Sequence, residues 1–150
     1  MMTARRLRSL WAVVGVTLVA GFAASLMGCA TVGPVSTVMV PDIKSVTGTW
    51  KGILYVSSTE PDYVTLTIRE DGTYDLVSQE RIGTSRGSGK VVVSDGRLVF
   101  EGEKGHGAAT LLKNPGGELV MYAQGTLDDN RTLTAKLWPS GSRGAAAVTK

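Results

Sequence analysis

The chain is poor in the side chains that perform chemistry. It has one cysteine and one histidine in 150 residues, and aromatics make up 6%. A single cysteine excludes an internal disulfide, so any exported domain must be held by burial and hydrogen bonds alone, which is feasible at about 100 residues. The lone histidine, His106, stands in Glu103-Lys104-Gly105-His106-Gly107. Its flanking glycines predict an exposed turn, with no nucleophile, base or orienting group beside it. Metal ligands at usable spacing are missing as well. Asp128-Asp129-Asn130 lacks the alternating ligands and distal glutamate of a calcium loop and reads as a turn. The glycine-rich stretches lack the lysine and following helix of a phosphate cradle. These absences point away from an enzyme and from any cofactor.

Acidic residues are absent from the first 28 positions, where Arg5, Arg6 and Arg8 lie. Lys and Arg total 16 against 13 Asp and Glu. Without those three arginines the remainder is formally neutral, so the basic character belongs to the N-terminal segment and is no sign of nucleic-acid binding. After the basic start, Leu10 to Ala24 is apolar and uncharged. As a helix, about 15 residues span roughly 22 Å, short of a hydrocarbon core of about 30 Å. The pattern is that of an export signal.

Leu26-Met27-Gly28-Cys29 closes that segment. It resembles the lipobox of bacterial lipoproteins, with Met27 larger than the usual residue there. The resemblance implies a diacylglyceryl group on Cys29, cleavage after Gly28 and acylation of the new amino terminus, with residues 1–28 removed as a signal peptide. Two or three acyl chains give stable attachment. Ala30, rather than aspartate, follows the cysteine, so the expected location is the periplasmic face of the outer membrane of a Gram-negative cell.

Residues 29–47 contain Pro34 and Pro41 and show no sustained periodicity, which predicts an extended, flexible tether. About 17 residues at roughly 3.3 Å each would reach ~55 Å at most. From Gly48 the pattern turns to period two. In Tyr63-Val64-Thr65-Leu66-Thr67-Ile68-Arg69 the apolar residues all fall on one face. Asp71-Gly72 and Asp95-Gly96 mark tight reversals. Asn114-Pro115-Gly116-Gly117 and Leu127-Asp128-Asp129-Asn130 mark two more. No helical stripe interrupts residues 48–139, and 140–150 reads as a disordered tail. The expectation is an all-β domain, an antiparallel up-and-down barrel of about eight strands, or else an open sandwich of the same strands. Gly83 to Gly89 is open between a loop and a sharply bending strand.

Gly48-Thr49-Trp50 opens the first of these strands and resembles the Gly-x-Trp signature of the calycin group, which includes the lipocalins. The resemblance implies a barrel with Trp50 closing one end, facing inward with Leu54 and Val56. The chain lacks the Thr-Asp-Tyr motif of lipocalins and the tryptophan run of avidins, so no ligand comes with the resemblance. Tyr55, Tyr63, Tyr122 and Trp138 fall on the opposite parity, facing out, where a cluster would form a partner-binding patch. The function expected is a non-catalytic envelope module held to the membrane through Cys29. It would bind a small apolar ligand inside the barrel or a protein on its outer face, as an inhibitor or structural component of an envelope complex. An apolar void of about 300 Å³ or more would favour the ligand.

Overall fold

The computed structural model describes residues 34–57 and 60–148. Cys29, the lipobox-like residues Leu26 to Gly28 and the apolar stretch before them lie outside the described residues. Nine strands run in chain order: β1 Ser36–Val38, β2 Gly48–Val56, β3 Asp62–Ile68, β4 Thr73–Gln79, β5 Thr84–Ser94, β6 Arg97–Gly102, β7 Gly105–Lys113, β8 Leu119–Leu127 and β9 Thr132–Pro139. A short helix, α1 Arg143–Val148, follows. From β2 to β9 each strand pairs antiparallel with the next, and β9 returns to pair with β2. Eight strands therefore close into an up-and-down barrel, and β1 is an addition. The open sandwich is excluded by the β2–β9 ladder, which runs from Trp50 opposite Pro139 to Val56 opposite Leu133.

Side-chain alternation sets the register, because a one-residue slip would turn every buried side chain outward. Leu54 opposes Ala135, Leu66 opposes Leu76, Val91 opposes Phe100 and Leu111 opposes Met121, all inside. The turns follow local chemistry. Between β5 and β6, Asp95 and Gly96 both hold positive φ (50° and 71°), the type I′ geometry whose twist suits a two-residue hairpin. At the β3–β4 turn, Asp71 Oδ1 accepts from the Thr73 N–H at 2.9 Å and its hydroxyl at 2.7 Å. Gly83 to Gly89 is strand for most of its length. Glycines at inward positions allow the close approach it makes: a Cβ on Gly89 would collide with the carbonyl of Glu101.

The structure corrects the expected tether. From Ser36 onward the segment is built onto the barrel. β1 pairs with the end of β7, Ser36 opposite Lys113 and Val38 opposite Leu111, on the same edge that β6 leaves at Ala109. The Val40 N–H then donates to Gly96 O at 2.9 Å. Asp42 caps a 3-10 turn over Ile43–Val46, its carboxylate accepting from the Ser45 N–H at 2.9 Å. Val40 and Val46 are 2% and 1% exposed. Two valines among small polar residues and prolines give no periodic signal, yet each covers apolar surface at one end of the barrel.

The tail is corrected too. Residues 143–148 form α1, with Ser142 Oγ accepting from the Ala145 N–H at 3.2 Å and Glu118 Oε1 accepting from the Gly144 N–H at 3.1 Å. The helix lies against β2 and β9 and buries Ala145.

Candidate functional site: a half-hollow barrel

The barrel interior divides in two. At the end where β2 begins and β3 finishes, Val40, Val46, Trp50, Ile68, Val91, Leu98, Leu111 and Met121 form a packed plug. Trp50 is 4% exposed, and its Nε1 donates to Val46 O at 2.9 Å, joining the 3-10 turn to the first strand of the barrel. None of these eight side chains borders the cavity that fills the other half.

That cavity has a volume of about 470 Å³. Its walls come from Leu54, Val64, Leu66, Leu76, Phe100, Leu133, Ala135 and Leu137, all inward-facing. It exists because several inward positions carry little or no side chain: Gly87, Gly102, Gly105, Gly107 and Ala123. A Cβ on Gly107 would come within 2.7 Å of the Gln124 carbonyl, so the strands there are also drawn closer than a larger residue allows.

β4 gives the apolar cavity its polar groups. Tyr74, Leu76 and Ser78 alternate inward on that strand. Tyr74 stacks edge-on against Phe100, ring centroids 5.2 Å apart at 81°, and its hydroxyl fills the space a side chain at Gly102 would need. Burial pushes the Tyr74 phenol above its ordinary value of 10.0, and the charges of Glu101 and Glu103 add to the rise. Ser78 is 3% exposed and its hydroxyl has no hydrogen-bond partner. Across the β4–β5 ladder it faces Ser85, also inward.

The mouth lies at the end where β2, β4, β6 and β8 finish. Asp62, Glu80, Glu103, Asp128 and Asp129 border it with Arg86, Lys104 and Arg131, five acids against three bases. The rim is stitched together. Lys104 Nζ donates to Arg86 O at 3.0 Å, and the Asp128 N–H donates to Lys104 O at 3.0 Å. The backbone N–H of Arg131 donates to Asp129 and its guanidinium pairs with the same carboxylate at 2.7 Å, which together hold the carboxyl below the usual carboxylate range.

The outer residues divide unequally. Tyr55, Tyr63 and Tyr122 are 37%, 48% and 44% exposed. One row crosses four strands: Tyr122 opposite Lys136, Lys136 opposite Ile53, Ile53 opposite Tyr63. At about 4.8 Å per strand, Tyr122 and Tyr63 stand ~14 Å apart. Trp138 does not lie open beside them. It is half-buried, with Lys136 Nζ 5.1 Å from its ring centroid and Gly144 of α1 pressed so close that a Cβ there would overlap the indole. His106 is exposed as expected, but it sits within β7, opposite Glu101 and Thr126, rather than in a turn. Among the described residues no group of three His, Cys, Asp or Glu is placed to hold a metal ion, and no helix is long and apolar enough to cross a membrane.

These features define a class: a small closed antiparallel β-barrel, plugged at one end, with an apolar chamber open at the other. No family model, curated protein or solved structure matches the chain. The cavity residues were not legible beforehand as a site. The one signal was a serine, Ser78, at an inward position of a strand whose other inward residues are Tyr74 and Leu76.

Proposed function

We propose that the chain is a non-catalytic, calycin-like lipoprotein of the cell envelope, held to the membrane by lipid on Cys29, whose barrel binds a small apolar ligand. The single observation that carries the ligand is the chamber. At about 470 Å³ it falls within the range of roughly 300–1,000 Å³ typical of small-molecule sites. It has apolar walls, a few convergent hydroxyls and one open end, as such sites do. The lipobox resemblance of Leu26 to Cys29 supports the anchor and the periplasmic face of the outer membrane as its location.

The test uses the full-length protein held in amphipol, with protein-free amphipol as the blank. The fluorescence of 1-N-phenylnaphthylamine should rise in the presence of the protein. Ala123→Phe, which places a ring into the chamber, should abolish that rise while the circular dichroism stays that of a β-protein. No rise with the parent protein would remove this reading. A second reading, binding of an envelope protein on the outer face, is favoured by the row Tyr122, Lys136, Ile53 and Tyr63, since exposed tyrosines are enriched at the centres of interfaces.

A further inference from the structure

We infer that the ligand of the chamber is an amphiphile without negative charge, an apolar body carrying one hydroxyl or carbonyl group that hydrogen-bonds to Ser78. The inference rests on the chamber being a ligand site. The volume of about 470 Å³ holds about fifteen water-sized groups at roughly 30 Å³ each. A chain of ten or so carbons with a small polar head fits that space.

Ser78 specifies the head. Its hydroxyl is buried without a partner in a wall that is otherwise mostly apolar. A buried hydroxyl that lacks a hydrogen bond is costly, and large stretches of protein interior contain few of them. Most inward positions are met by an aliphatic, aromatic or glycine residue, and an alanine at 78 would avoid the cost altogether. A serine there is explained by a partner that arrives with the ligand. Its hydroxyl can donate to a carbonyl or exchange both roles with an alcohol. Ser85, inward on the neighbouring strand, widens the same polar spot.

Charge narrows the choice further. Ser78 lies one residue from the end of β4, towards the mouth: its ladder neighbours are Val64 and Ser85, and the rim acids Glu80 and Asp62 come next beyond it. A carboxylate brought against that buried side chain would be desolvated beside two acids, a far larger cost than burying an alcohol. A fatty acid could instead leave its carboxylate at the mouth, but the rim there carries five acids against three bases. The rim and the spot beside Ser78 therefore both disfavour an anion.

The experiment reads displacement of 1-N-phenylnaphthylamine from the full-length protein in amphipol by 1-decanol and by decanoate. 1-Decanol should displace the probe at concentrations at least tenfold below decanoate. Ser78→Ala should weaken 1-decanol by about three- to tenfold, the span expected for one hydrogen bond, with each displacement corrected for the probe's affinity measured in the same variant. Its Tm should hold or rise, because the unpartnered hydroxyl is gone. Ser78→Thr keeps the hydroxyl and should keep 1-decanol binding. A lower affinity with an intact or higher Tm is not what a merely structural serine would give. Equal potency of decanoate, or unchanged 1-decanol affinity in Ser78→Ala, would overturn the inference while leaving the chamber as a ligand site. Failure of the parent to bind the probe at all would remove both.

Discussion

The indole of Trp50 donates to the backbone carbonyl of Val46 at 2.9 Å, so the barrel's first strand is buckled to the turn that precedes it. The bond is buried, and both residues belong to the plug. Trp50→Ala empties the centre of that plug. Truncating a buried tryptophan costs about 3–5 kcal/mol, and a domain of this size shifts by roughly 4–8 °C per kcal/mol. Thermal unfolding followed by circular dichroism should show Tm falling by well over 5 °C. Trp50→Phe, which keeps most of the burial and loses the bond, should fall less than halfway. Equal loss in both would mean the ring volume contributes little.

Trp138→Ala removes a half-buried ring that α1 covers. The drop in Tm should be smaller than for Trp50→Ala. The local effect should be clear, because Gly144 rests on that indole. Amide exchange across 143–148 should speed up in the variant while exchange in β2 and β3 stays slow. Unchanged exchange in the helix would show that Glu118 and Ser142 hold it without the tryptophan.

Tyr74 makes stability sensitive to alkali. Its folded-state pKa stands above the unfolded value of 10.0, chiefly because the phenol is buried. The neutral form is then favoured in the folded state. That contribution is fully present below pH 10 and is lost as the pH rises through the folded pKa. Tm measured from pH 8 upward should fall along an alkaline limb, and Tyr74→Phe should flatten it. A limb of the same steepness in Tyr74→Phe would assign it elsewhere.

Cys29→Ala should abolish lipid attachment. Radiolabelled palmitate fed to expressing cells should label the parent and leave the variant bare, either uncleaved or free in the periplasm. Label retained by the variant would place the anchor on another residue.

The strands were readable where one face is apolar and the other wet. β3 and β9 alternate without interruption, and Asp71-Gly72 and Asp95-Gly96 announce their reversals, so barrel and turns follow from local rules. The rest depended on partners distant in sequence. The segment with Val40 and Val46 looks like linker until β7 offers an edge and the barrel an open end. Gly144 looks like part of a frayed tail until Trp138 lies beneath it. The chamber is written in what the sequence omits, glycines and alanines at inward positions of four different strands. Only the closed register brings those gaps to one place. Ser78 is a polar residue at an inward position whose burial is decided by β3 and β5 rather than by its own strand.

The pairing of β1 with β7 also shortens the leash. A lipid on Cys29 would be separated from Ser36, the first paired residue, by seven residue steps, at most about 25 Å of chain in place of ~55 Å. Ser36 sits beside Lys113, at the plugged end, so the chain leaves the barrel on the side opposite the mouth. The first paired residue and the open rim thus stand at opposite ends of the barrel, as foot and lip do on a cup.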